Sequence, residues 1–540
     1  MANNNFYLLD CTLRDGGFVN DWRFGNLAIR SIVTRLDDAG IDIIEVGFLD
    51  SRVAYDKDRS MFPDLPSIRN TLGMSLPKRA ELVAMIDYGN FGKDMIIPKD
   101  ESVLDGIRLI FQKEDIAGAL ELAWEIKNQG YKLVLNPVAL FSFRDKEILD
   151  LLESINAIMP SAISVVDTYG VMFWEDVVRY VYLIDGNIME GIALGFHSHN
   201  NLQMSNSNCI ELIKLNLNRK VILDSSILGM GKNSGNTCTE LILSYADKFG
   251  IKRVDIDHVL ECAYTDIQKF LGKQSWGYTL ENLITATNRC SPNWTKYLMN
   301  KNTLSIANIR QIISTLPPYE KSLVSYFSND LAEEKYLEFM SKTIDDTNSY
   351  ELLRKQISGR DILMLCPGNS LKTHRVHIDD YIAMNNPVVF SVNFVSDLLQ
   401  VDYAFVSNAN RFSKVLGIYP ELSKPPTVIT TSNIVAVDRV KPHMQFNYKL
   451  LHDRVGGDNS SALLLSLLQS LGVKTVAVAG FDGQSDSAEN YFEKGLELSY
   501  VDGANEMTVK QLRHVLTGEN AVNLSWITPS RLEAMIDSLE

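Results

Sequence analysis

The 540-residue chain has little cysteine and places none of it in close pairs. Its six cysteines, Cys11, Cys209, Cys238, Cys262, Cys290 and Cys366, form no C-x-x-C motif, which argues against both a zinc ribbon and a disulfide framework. Positive charge is also short, with 52 Lys+Arg against 67 Asp+Glu and a formal net charge of −15. A nucleic-acid or anionic-membrane surface would demand a basic face, so neither is the expected main partner, although a local basic pocket stays compatible with the total. No stretch approaches the roughly 18 apolar residues of a membrane span. The opening residues 1–5, Met-Ala-Asn-Asn-Asn, carry neither a basic nor an apolar leader segment, and the expected location is cytoplasmic. The chain is too long for one core, so two or three domains are expected.

What is present begins at residues 6–17. A short apolar run, Phe6 to Leu9, breaks into Arg14-Asp15 followed by Gly16-Gly17. It reads as a buried strand whose end sets a fixed cation beside a fixed anion, at a backbone able to turn sharply and approach a ligand. A surface ion pair before a turn is the plainer alternative. From residue 6 to about 250, eight strand-like runs (6–10, 41–47, 80–86, 106–111, 132–139, 162–167, 192–196 and 221–225) alternate with helical periodicity at 27–39, 115–129, 146–158, 174–184 and 203–215. The third unit, where 87–99 is short and glycine-rich, is the weakest. Such alternation implies parallel pairing, and eight units in about 250 residues match a (β/α)8 barrel, with a doubly wound open sheet as runner-up.

The polar strand ends favour the barrel. Strand seven runs into His197-Ser198-His199-Asn200-Asn201, and strand eight ends in Asp224-Ser225-Ser226 before a loop holding Gly229, Gly231, Lys232, Gly235 and Asn236. Residues i and i+2 of an extended chain share a face. In a closed barrel, strands seven, eight and one are consecutive, so His197, His199, Asp15 and Arg14 converge at the C-terminal mouth. Two imidazoles and a carboxylate with positions left open make a divalent-metal site suited to Mn²⁺ or Mg²⁺, with Zn²⁺ a lesser option.

Together, Thr12-Leu13-Arg14-Asp15-Gly16, His197-Ser198-His199-Asn200-Asn201 and Gly229-Met230-Gly231…Gly235-Asn236 resemble the metal-dependent lyase superfamily of 3-hydroxy-3-methylglutaryl-CoA lyase, isopropylmalate synthase and 4-hydroxy-2-oxovalerate aldolase. The resemblance covers roughly residues 5–290. It implies that Asp15, His197 and His199 bind the metal, with Asn236 as a further ligand, and that Arg14 stabilises an enolate oxygen. It also places Glu45 and Tyr169 among catalytic candidates and Asp167, Thr168 and Gly229 along the substrate pocket; a purely structural role for Glu45 is the alternative. The chemistry agrees, since making or breaking a carbon–carbon bond beside a carbonyl needs a Lewis acid and a fixed cation at the developing oxyanion. One departure is clear. The aldolase branch carries a proton-transferring His after the Arg-Asp-Gly motif, where this chain has Phe18. Tyr169, Tyr278 or a water would have to substitute.

Residues 256–350 read as a helical extension after a 1–255 barrel. A second α/β domain of Rossmann-like type is expected over 351–540, with strands at 361–366, 388–392, 403–407, 428–431 and 475–480 and a helix at 463–471. The turn Gly368-Asn369-Ser370 suggests a phosphate seat at a helix start, or simply a capped helix. A faint resemblance to surface-glycan enzymes that handle nucleotide-sugars implies a nucleotide-sugar at this domain. The expectation for the whole chain is therefore a metal-dependent aldolase joining or cleaving a 2-oxo acid such as pyruvate and an aldehyde. Association into a homo-oligomer would be usual for such barrels. A Claisen-type acyl-CoA lyase or acyltransferase, and a barrel scaffold carrying a glycosyltransferase-like module, are the alternatives.

Overall fold

A computed structural model of the protein describes residues 5–252, 254–272, 276–301, 303–434, 437–486, 490–493, 496 and 503–538. Residues 1–4 of the segment read above for a leader lie outside these. The chain divides into two compact units, Met1–Lys296 with Ile313–Phe327, and Tyr297–Ile312 with Ser328–Glu540. The helical stretch expected over 256–350 is thus shared between the two.

In the first unit, β1 (Phe6–Asp10), β2 (Ile43–Leu49), β3 (Glu81–Asp87), β4 (Gly106–Phe111), β5 (Lys132–Pro137), β6 (Ala162–Asp167), β7 (Ala193–Ser198) and β8 (Val221–Ser225) are all parallel. β1 closes the ring, since Leu9 pairs with Asp224 on one side and with Ile43 on the other. Closure decides against the open sheet. Strands β2, β6, β7 and β8 are buried along their whole length, as parallel strands must be when helices cover one face and a filled barrel the other.

Alternation then sorts the side chains. Leu8, Ile44, Val46, Ile107, Leu109, Phe196 and Leu223 join the shell beneath the helices. Leu9, Ile43, Val83, Ala162, Ala193 and Ile222 form a separate apolar cluster in the interior. Two residues further along the same inward rows stand Glu45 and Asp224. The β2–β3 register shifts between Glu45 and Phe48, where Gly47 has φ +150° and a Cβ would lie 1.8 Å from the Ser60 carbonyl oxygen. Only glycine admits that approach. The two-residue strand Met61–Phe62 pairs with the end of β2 there.

The second unit holds β9 (Ile362–Leu365), β10 (Val388–Val392), β11 (Tyr403–Val406), β12 (Thr427–Thr431), β13 (His443–Phe446), β14 (Thr475–Ala479) and β15 (Asn523–Trp526). They form one parallel sheet in the order β13-β12-β11-β10-β9-β14-β15. The helix Ser460–Ser470, buried from Ser461 to Leu468, packs against β10 and β11. Among the described residues no helix is long and apolar enough to cross a membrane.

Candidate metal centre

Three strand ends build the site. On β7 and just beyond it, His197 and His199 stand two residues apart, and their rings meet edge to face with centroids 5.1 Å apart. After β1 the chain turns tightly, the N–H groups of Arg14 and Asp15 both donating to the Cys11 carbonyl at 3.0 and 2.8 Å, which aims Asp15 at the same point. One ligand atom from each of Asp15, His197 and His199 lies within 4.8 Å of the others, all three side chains being buried. Beyond β8, Asn236 donates through Nδ2 to Asp15 Oδ2 at 2.6 Å and to the Met230 carbonyl at 3.3 Å.

The proton positions suit a cation. His199 Nδ1 lies 3.2 Å from the Gly235 carbonyl oxygen and His197 Nδ1 3.0 Å from Asp224 Oδ2. Both partners accept, so each ring carries its proton on Nδ1 and leaves Nε2 as a lone pair. Burial pushes His199 down to about 4, so that ring is neutral near pH 7. Burial would raise Asp15, but the Arg14 guanidinium, helped by the hydrogen bond from Asn236, outweighs it and holds the carboxyl well below its usual range. Asn236 Oδ1 is buried without a hydrogen-bond partner. A buried orphan oxygen is costly, and next to a carboxylate and two imidazole lone pairs it completes a donor set that fits a divalent metal.

Behind the ligands runs an alternating chain of buried charge. Arg14 donates through Nη1 to Asp15 Oδ1 at 2.6 Å and through Nε to Glu45 Oε2 at 2.7 Å. Arg108 donates to Glu45 Oε1 at 3.0 Å, to Asn136 Oδ1 at 3.1 Å, and to Asp224. Asp224 in turn faces His197. Glu45, Arg108 and Asp224 come from β2, β4 and β8, alternate strands, as one layer of a barrel interior requires. Burial disfavours the charged form of both arginines, yet the carboxylates beside them push their pKa values above the usual range. The network keeps its charge.

A cavity of about 130 Å³ opens over the site. Arg14, Asp15, His197 and His199 line it together with Asp87, Gln112, Thr168, Tyr169, Lys232 and the aromatic pair Phe18 and Phe48; Val324 lines it from the 313–327 segment. Asp87 ends β3, and burial raises its pKa, with Arg52 and Lys232 pulling the other way.

Residues 109–263 match the HMGL-like family profile. A 4-hydroxy-2-oxovalerate aldolase from Geobacillus genomosp. 3 is 25% identical over 268 residues, 49% of this chain and 77% of that one. A second aldolase of that name, from Thermomicrobium roseum, is 28% identical over 263 residues, 47% and 70% of the two chains. An oxaloacetate decarboxylase from Mycobacterium tuberculosis is 25% identical over 276 residues, 51% and 79%. Over residues 109–263 the barrel is similar to the HMGL-like family.

Within the barrel the expected site residues part company. Asp15, His197, His199, Asn236, Arg14, Thr168 and Tyr169 gather at the mouth. Glu45, fully buried, stands behind Arg14 and does not line the cavity, so it positions the arginine. The Asp167 carboxylate accepts the N–H groups of Val171 and Met172 at 2.7 and 3.1 Å and so braces the turn after β6; burial lifts it to about 7. It is absent from the cavity lining. Thr168 Oγ1 accepts the Ala139 N–H at 2.7 Å. The Tyr169 hydroxyl is committed to the Ser322 carbonyl at 2.9 Å, and burial raises its pKa far above the phenolic range, which removes it as an acid–base group. Gly229, at φ +62°, accepts the Asn236 N–H through its carbonyl at 3.0 Å, supporting a ligand instead of touching substrate. Phe18 packs on Trp22 and Phe48, and Lys232 Nζ sits 5.0 Å above its ring.

In the second unit the Gly368–Ser370 turn is already filled. The Ser370 N–H donates to Asp482 Oδ2 at 2.7 Å, its Oγ also donates to Asp482, and the Gly368 N–H donates to the Gly480 carbonyl at 2.9 Å. The helix that follows has only four residues, Ser370–Thr373. A carboxylate of the chain itself takes the place foreseen for phosphate.

Sequence reasoning missed Arg108, Asp224 and Asp87 as site residues. The signal was a lone charge within or ending an apolar strand, Gly-Ile-Arg-Leu-Ile-Phe, Val-Ile-Leu-Asp and Val-Ala-Met-Ile-Asp, since charged side chains enter a core only when paired or used.

Proposed function

We propose that the HMGL-like barrel is a divalent-metal-dependent carbon–carbon lyase that acts on a 2-oxo acid such as pyruvate, through its enolate, with an aldehyde as the other partner. The observation carrying this reading is the joint placement of Asn236 Oδ1, orphaned and buried, with the Asp15, His197 and His199 donors beside the Arg14 guanidinium. Bound by these four residues, an ion such as Mn²⁺ or Mg²⁺ supplies Lewis-acid charge at the substrate carbonyl.

The chain's own groups do the rest. Arg14 commits Nε and Nη1 to Glu45 and Asp15, which fixes the guanidinium plane and leaves Nη2 as the donor for an oxyanion in the cavity it lines. A pre-oriented donor of this kind lowers the barrier because it needs no rearrangement as charge develops. In the cleavage direction, Asp87 takes the proton of the 4-hydroxyl, the C3–C4 bond breaks, its electron pair passes into the enolate, and the aldehyde leaves. Protonation of the enolate at C3 then gives the 2-oxo acid. Asp87 suits the task because burial raises its pKa toward working pH. Lys232, across the cavity, offers a balancing cation. Phe18 and Phe48 make the wall beside Arg14 apolar, which strengthens that donor.

The absence of a histidine at position 18 favours a second reading. Decarboxylation of an oxaloacetate-like 2-oxo acid reaches the same enolate by loss of CO₂ and needs no base to remove a proton. The test is proton NMR of pyruvate in deuterated buffer with Mg²⁺, comparing the wild type with Arg14→Ala and His197→Ala. Metal-dependent loss of the methyl signal, abolished by both substitutions, supports the enolate reading; no exchange with metal bound sinks it for pyruvate. Carbon dioxide release from oxaloacetate without aldehyde turnover selects the decarboxylase reading.

A further inference from the structure

The second unit has a crevice of its own, at the place where the sheet's winding reverses. β9 and β14 are neighbours, yet the chain leaves β9 for β10 on one side and arrives at β14 only after β13. Crossovers diverging from such a pair leave a gap beyond the strands' carboxyl ends, where open parallel sheets bind ligands. Here the gap is a cavity of about 270 Å³, near the lower size of small-molecule pockets, about 300 Å³. Asn393, Arg411, Asp458, Asn459, Asp482 and Gln484 supply the polar part of its lining that bears on the ligand.

This lining is rich in acceptors. Asn393, at φ +63° just past β10, donates through Nδ2 to Ser460 Oγ at 2.7 Å, which fixes the amide and leaves Oδ1 buried without a partner. Gln484 Oε1 is likewise buried and unpartnered. The Asp458 carboxylate is held by the Tyr448 and Tyr336 hydroxyls at 2.8 and 3.0 Å, and Asp482 by Ser370. Four residues lining one space therefore carry oxygen acceptors, two of them with an oxygen still lacking a donor.

The backbone donors that an anion would use are, by contrast, already taken. The Ser370 N–H is on Asp482. At the N-terminus of the helix Ser460–Ser470, Asn459 Oδ1 takes the N–H groups of Ser461 and Ala462 at 3.0 and 3.2 Å. Arg411 is the cation of the lining, and its guanidinium also serves the Leu496 carbonyl. Two carboxylates against one arginine repel a polyphosphate.

We propose that this crevice binds a small hydroxyl-rich molecule of the sugar or nucleoside class, whose vicinal hydroxyls donate to Asn393, Gln484 and the flanking carboxylates, and that it does not seat a nucleoside diphosphate. Unpartnered buried acceptors demand donors, and adjacent hydroxyls present several within one hexose- or ribose-sized volume. The site is independent of the barrel's reaction.

The test is ligand-observed saturation-transfer NMR on the full chain with adenosine, uridine, D-glucose, D-ribose and ADP at millimolar concentration, followed by titration of whichever binds. The expected result is saturation transfer to a nucleoside or to a sugar, the two arms distinguishing the sources, with affinity about tenfold weaker in Asn393→Ala and in Gln484→Ala. Neither residue belongs to the lining of the barrel cavity, so unchanged pyruvate exchange and an unchanged unfolding midpoint certify folded variants. ADP binding more tightly than adenosine, binding that both variants leave intact, or no transfer to any hydroxyl compound would overturn the proposal.

Discussion

His197 Nδ1 stands 3.0 Å from Asp224 Oδ2, and Arg108 donates to that same carboxylate oxygen. The pair makes one imidazole a directed ligand: with its proton anchored on Nδ1, the ring cannot turn and Nε2 points to the metal position. Removing the carboxylate's charge while keeping its shape tests this. Asp224→Asn is expected to weaken Mn²⁺ affinity by about 10–100-fold, measured by calorimetry at fixed pH. Unchanged affinity would mean that packing alone orients the ring.

Glu45 carries a different burden. It is fully buried and counters two arginines at 2.7 and 3.0 Å. Glu45→Gln leaves Arg14 and Arg108 short of one negative charge in the barrel interior, and uncompensated buried charge costs about 3–5 kcal/mol. An unfolding free energy lowered by that amount, read as a lower urea midpoint at a preserved m-value, is the expected outcome. A loss of activity at unchanged stability would instead bring Glu45 into contact with substrate.

Gly231 explains why the loop after β8 carries so much glycine. A Cβ there would lie 2.3 Å from Asn236 Nδ2 and 2.4 Å from Asp15 Oδ2, on the two side chains that carry the oxygen donors of the candidate metal site. Gly231→Ala must push them apart. The expected result is at least a tenfold loss of metal affinity in a protein that still folds, read by metal titration alongside circular dichroism.

These positions mark how far the sequence could be read. Strand and helix alternation, with glycine and asparagine stops, located all eight barrel strands to within a few residues because each strand is buried on both faces and so spells a continuous apolar run. His197 and His199 announced themselves by their spacing. Glu45 and Asp167 looked like pocket residues because a carboxylate at a strand end is equally suited to touching a substrate, countering an arginine or accepting backbone N–H groups; only the fold tells these apart. Arg108 and Asp224 were written into apolar strands, but their pairing spans 116 residues and no local pattern carries it. In the second unit, β13 and β15 escaped notice. Both are edge strands, half exposed, with the sequences His-Met-Gln-Phe and Asn-Leu-Ser-Trp, too short and too polar for the periodicity that betrays a central strand.

Asp87 separates binding from chemistry. It lines the cavity without belonging to the candidate metal cluster, so Asp87→Asn is expected to leave metal affinity as it is. Aldehyde release should fall by about 10²–10⁴-fold, the usual share of a general base. Decarboxylation, which needs no such base, should fall far less. Equal losses in both reactions would assign Asp87 to substrate binding.

The metal-free protein should show a stability profile that betrays His199. Its ring titrates near 6.5 when exposed and is pushed by burial to about 4 in the fold. Between these values the unfolded chain binds a proton that the folded one refuses, so stability falls as pH drops from 6.5 toward 4 and is fully present above 6.5. The interval corresponds to about 3 kcal/mol. Asp10 and Asp167 tilt the other way, since burial raises them to about 6 and about 7: the fold holds their protons where the unfolded chain has lost them, and stability grows as pH falls through those values. The wild-type profile is therefore a sum and decides little by itself. His199→Gln keeps both aspartates and removes the imidazole, so subtracting its urea-derived profile from that of the wild type isolates the ring. The difference should slope downward toward acid between pH 6.5 and 4 and be flat above. Adding Mn²⁺ should deepen that slope in the wild type, because the bound ion and the proton compete for the same Nε2. A difference profile flat throughout, with and without metal, would mean that the His199 ring is solvated in the folded protein and is no ligand.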